Sequence, residues 1–152
     1  MKKLILLLLF IPLVSFSQIL TLEDLKSIKD IKSFKKVMIE NQYQFDRVTD
    51  SGTELYGYEL RKDNRYKYRV ATKWGSWKNG EWLLEFNKQE NVFDQYGEYE
   101  NIVNSLKNEC SYFDIITYME NDYVAYKCDK EGSFGFMIKD NTACIRYFPS
   151  KM

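Results

Sequence analysis

The chain has 152 residues, in which 22 Lys and Arg balance 22 Asp and Glu, and it contains no histidine. That balance gives no electrostatic case for nucleic acid or a membrane surface as a partner of the whole protein. The missing histidine removes the commonest general base and metal ligand, and with them Ser-His-Asp hydrolases, Cys-His proteases and ordinary zinc enzymes.

Met1-Lys2-Lys3 leads into an apolar run from Leu4 to Val14, followed by Ser15-Phe16-Ser17. A positive start, a short apolar stretch and a small-x-small site together read as a cleavable secretory signal over residues 1–17. Ser15 and Ser17 fill the small positions of the peptidase site, and cleavage leaves Gln18 as the new N-terminus. The apolar run falls short of the roughly 20 residues of a membrane span, and Pro12 interrupts it. No membrane span is therefore expected after cleavage, and no Cys follows the run to carry a lipid. The Ser-Phe-Ser-Gln junction is similar to those of exported proteins from the Bacteroidetes. The expected location is periplasmic or secreted. Losing Lys2 and Lys3 leaves 20 basic against 22 acidic side chains, a net charge of −2.

The mature chain opens with helical signals. Thr21 can cap a short helix whose Leu22, Leu25 and Ile28 share a face, and Ile31, Phe34, Val37 and Met38 form a second stripe. Strands of period two follow. Tyr56, Tyr58 and Leu60 share one face of the first clear run, and Tyr66, Tyr68 and Val70 oppose Arg65, Lys67 and Arg69 in the next. Trp82, Leu84 and Phe86 share parity as a core strand. A third helix is expected with Asp94 as cap and Tyr99, Ile102, Val103, Leu106 and Cys110 as its stripe. Later runs place Val124 with Tyr126, and Phe134, Phe136 and Ile138 opposite Ser133, Gly135, Met137 and Lys139. Turns are expected at Asp50-Ser51-Gly52, Lys62-Asp63-Asn64, Asn79-Gly80, Asn121-Asp122, Lys130-Glu131-Gly132 and Asp140-Asn141, with Asn79-Gly80 the strongest hairpin signal.

The chain also repeats itself. At an offset of 68, Phe34 and Met38 meet Ile102 and Leu106, Phe45-Asp46 meets Phe113-Asp114, and Tyr66, Tyr68 and Val70 meet Phe134, Phe136 and Ile138. The offset then falls to 61, so that Trp82, Leu84 and Phe86 meet Ala143, Ile145 and Tyr147. The expected organisation is a signal at 1–17, a first helix-plus-four-strand repeat at 18–90 and a second at 91–152. Short links between strands predict antiparallel meanders, with helices packed on one face, in the α+β class. Such a tandem pair resembles the β-lactamase-inhibitor-protein-like fold. That likeness is one of topology and carries over no functional residues.

Cys110, Cys128 and Cys144 lie in the second half, and export admits one disulfide among them, with one cysteine left over. Buried thiols are the alternative. Their spacing fits no zinc site, and no cofactor loop is present, since Gly132-Ser133-Phe134-Gly135 reads as a hairpin with a strand glycine. The most conspicuous segment is Arg61 to Lys78, where seven of eighteen residues are basic and Tyr66, Tyr68, Trp74 and Trp77 interleave. Trp74 and Trp77 are candidate binding anchors, or a pair that folds over the sheet to close the core. Arg65, Lys67 and Arg69 are candidate contacts to an acidic partner, or the solvated face of an edge or open sheet. The scattered carboxylates, Asp46, Glu98, Glu100, Asp114 and Asp122 among them, show no catalytic pairing. The sequence thus favours an exported, non-catalytic protein that binds a protein or glycan, as an inhibitor, immunity-type or accessory factor. The alternatives are a hydrolase acting on glycan through carboxylates and a carbohydrate-binding module.

Overall fold

The structure, a computed structural model, describes residues 20–50, 52–60, 66–73, 80–87, 97–128, 132–139 and 142–149. Helix α1 (Leu22–Ser27) starts at Thr21, whose hydroxyl accepts the Asp24 N–H while the Asp24 carboxylate accepts the Thr21 N–H. Helix α2 (Ile31–Glu40) starts the same way, with Asp30 and Ser33 exchanging bonds. Each exchange satisfies two donors that a helix start leaves open. The Ser33 N–H, with help from the Ser33 hydroxyl, holds the Asp30 carboxyl below its ordinary range. Helix α3 (Gly97–Glu109) buries Tyr99, Ile102, Val103 and Leu106, as the stripe predicts. Asp94 lies outside the described residues.

Eight strands follow the expected meanders: β1 (Gln44–Val48), β2 (Thr53–Leu60), β3 (Tyr66–Lys73), β4 (Trp82–Asn87), β5 (Ser111–Tyr118), β6 (Asn121–Lys127), β7 (Gly132–Lys139) and β8 (Thr142–Pro149). They form one antiparallel sheet in the order β1-β2-β3-β4-β8-β7-β6-β5. The α+β class holds, with α1, α2 and α3 all contributing to one core on a single face of the sheet. The last strands of the two halves are joined, so Leu84 of β4 pairs with Ile145 of β8 at the centre. Both are buried.

Register refines the internal likeness. One row runs Phe45–Tyr56–Val70–Phe86 across the first meander, and its counterpart runs Tyr112–Tyr126–Phe134–Tyr147 across the second. Phe45 meets Tyr56 edge-on at 5.7 Å, and Tyr112 meets Tyr126 edge-on at 5.9 Å. Such ring pairs add about 0.5–1.5 kcal/mol beyond area burial. Each outer strand carries an irregularity just after this row, at Asp46 and at Phe113. At the centre, Trp82 is buried and stacks on Tyr147.

Two turns need positive φ and use glycine, Gly52 at 76° and Gly80 at 73°. The β5–β6 turn departs from the expectation. It is made by Met119 and Glu120, with φ of 48° and 61°, while Asn121 and Asp122 already belong to β6. Two positive-φ residues suit a tight hairpin whose twist matches the sheet. The Asn121 amide steadies it by donating to the Met119 carbonyl at 2.9 Å. Ile138 also departs, for it is exposed instead of core. Burial fades along β7 from Gly132 to Lys139.

Candidate functional site

β5 closes one end of the sheet, with β6 as its only strand neighbour among the described residues. Its exposed large side chains are Tyr112 (58% exposed), Phe113 (53%) and Ile115 (56%), and Met119 follows at the turn (75%). The edge is fastened at its start. Cys110, just before β5, is disulfide-bonded to Cys128, just after β6, while Cys144 is buried outside that bond. The Ile115 N–H donates to the Asp114 carboxylate at 2.8 Å. The surrounding segment is acidic: between Lys107 and Lys127 stand Glu109, Asp114, Glu120 and Asp122, without one Lys or Arg. The opposite edge, β1, is shorter, five residues against eight, and carries adjacent Asp46 and Arg47. Charges on a short edge strand discourage pairing, so the two edges of the sheet are unequal.

The helix-free face of the second meander carries a compact cluster of its own. Arg146 of β8 is buried, lies 3.8 Å from the Tyr118 ring centre and bonds Glu81 at 3.2 Å. Tyr123 and Phe148 meet edge-on at 5.8 Å beside it. Tyr118 on β5 and Phe148 on β8 sit 6.3 Å apart although two strands intervene. Gly135 of β7 makes room for these rings, since a Cβ there would stand 2.8 Å from both Tyr123 and Phe148. Burial pushes the Tyr123 hydroxyl up, and the Arg146 side chain partly opposes this. The guanidinium is thus enclosed and paired, which makes it a structural cation.

Two carboxylates turned towards the interior are engaged as well. Glu54 of β2 accepts the Tyr56 hydroxyl at 2.7 Å and faces Lys35 of α2 at 3.4 Å. Burial, then Glu54, raises the Tyr56 hydroxyl above its ordinary range. Glu98, in the first turn of α3, accepts the Tyr43 hydroxyl and, at 3.0 Å, the Leu20 N–H. Burial raises its carboxyl, against those two hydrogen bonds.

Of the residues singled out in the sequence, Ser15, Ser17, Gln18, Arg65, Trp74 and Trp77 lie outside the described residues. Lys67 and Arg69 fall in β3, and Arg69 holds the register position opposite Gly57. β3 is the third strand of eight, so its basic residues do not form a sheet edge. Sequence reasoning passes over β5, Tyr123 and Arg146. The signal for β5 is present as an apolar run with one charge, Ser111 to Tyr118, but edge position depends on strand order. No group of three or more His, Cys, Asp or Glu suited to a metal occurs among the described residues, and no helix among them is long and apolar enough to cross a membrane. Comparison with family models, with curated proteins and with solved structures returned no match.

Proposed function

We propose that the chain is an exported, non-catalytic protein that binds another macromolecule in the envelope or medium, as an inhibitor, immunity-type or accessory factor. The observation that carries this reading is β5, an edge strand with three exposed large apolar side chains. Open edges template pairing with another chain, and exposed apolar side chains beside one add burial to the backbone bonds. Full burial of a side chain the size of Ile or Phe is worth about 1.5–3 kcal/mol, and each added backbone hydrogen bond about 0.5–1.5 kcal/mol net. The leader-like residues 1–17 and the Cys110–Cys128 disulfide support an oxidising compartment. Tyrosine hydroxyls on Glu54 and Glu98 favour a structural use of both carboxylates.

The test is site-specific photo-crosslinking in exporting cells, with the reactive residue at Ile115, Ile39 or Phe45. Ile39 is an exposed apolar position on α2, and Phe45 is one on the opposite sheet edge. A single adduct from Ile115, identified by mass spectrometry and rebuilt from purified components, is expected. Adducts from Ile39 or Phe45 alone would contradict β5 as the docking edge. Absence of adducts from all three would remove the binding reading itself.

A further inference from the structure

We infer that β5 takes up an extended partner segment in which apolar residues alternate with Lys or Arg, added as a further strand at the sheet edge. This rests on the binding reading above and names its mode and its ligand. Beyond the irregularity at Phe113, β5 is regular from Asp114 to Tyr118. Alternation then puts Asp114 and Ile115 on opposite faces. A partner strand of the same period sets its cations beside Asp114 and its apolar side chains beside Ile115. The Ile115 N–H, held by the Asp114 carboxylate, passes to a partner carbonyl as the cation takes over that carboxylate.

Charge decides between a foreign segment and a second copy. Two β5 edges side by side would bring Asp114 of each strand, and Glu120 at the turn that follows it, to one seam. Paired strands lie about 4.8 Å apart, inside the roughly 8 Å over which salt screens charge. Like charges at that range oppose pairing, while a basic segment is drawn in. The cations nearest in sequence, Lys107 and Lys127, lie on α3 and β6 beside Glu109 and Asp122, so the charge that β5 itself carries is Asp114. Glu109 also faces Lys26 at 3.6 Å, and Asp122 accepts the Thr117 hydroxyl at 2.7 Å, so Asp114 and Glu120 are the acids most open to a partner.

An alternating Lys-Val octapeptide and its Glu-Val counterpart test this on the full mature chain, read by amide hydrogen exchange. The Lys-Val peptide is expected to protect the amides of Ile115 and Thr117, which alternate with those paired to β6, and the Glu-Val peptide to leave them unchanged. Asp114→Lys and Glu120→Lys, both at exposed positions, are each expected to weaken the Lys-Val peptide by roughly tenfold. Equal binding of both peptides, protection confined to β1, no protection at all, or a dimer joined through β5 would each overturn the inference. Should the peptide fail while Ile115 still cross-links to a partner, this inference falls and the binding reading stands.

Discussion

At the residue scale, Glu98 joins segments that are far apart in the chain. Its partners Leu20 and Tyr43 are 78 and 55 residues away. Nothing local marks it, because an acid in a first helical turn has an ordinary use there. The same holds for Arg146, which alternation places on a solvent face but which a roof of Tyr118, Tyr123 and Phe148 encloses. Glu98 carries a pH prediction. Burial raises its folded value above the ordinary 4.5. Its contribution to stability is therefore full below that value and is lost as pH rises through the raised one. Glu98→Gln keeps acceptor and donor positions for Leu20 and Tyr43 without the charge. Thermal melts from about pH 4 to pH 7 should show the variant gaining on the native chain as pH rises. The variant falling further behind would mean that the two hydrogen bonds favour the ion more than burial opposes it.

At the scale of elements, helices and strands were legible because their burial follows simple periods. Thr21, Phe34, Ile102 and Leu106 all take the expected roles. The features that escaped are those a period cannot carry. The irregularities at Asp46 and Phe113 shift register, and Met119-Glu120 turns a hairpin without the usual Asn-Gly pair. Pairing among three cysteines was likewise open until β5 and β6 were placed side by side. The Cys110–Cys128 bond closes a loop of sequence separation 18 around that hairpin. By chain entropy a loop of such length is worth about 3 kcal/mol. Cys110→Ser with Cys128→Ser should lower the urea stability by about that amount, with the midpoint falling accordingly. Coincident midpoints would show that β5 is held by its ladder alone.

For the whole molecule, the decisive fact is strand order. The meanders could be read from short links, but which strands meet at the centre could not, and so neither could which strands are left at the edges. Joining β4 to β8 leaves β1 and β5 outermost, and of the two only β5 combines length, apolar exposure and an acidic surround. Thr117 lies two residues beyond Ile115, so its N–H points to the same side of the strand. Proline is tolerated on an edge strand where the missing N–H faces solvent. The most direct measurement is therefore the affinity of Thr117→Pro for the partner cross-linked at Ile115, alongside its melting temperature. Binding lost with the melting temperature kept is the predicted result, and binding at the native level would contradict the assignment of β5 as the docking edge.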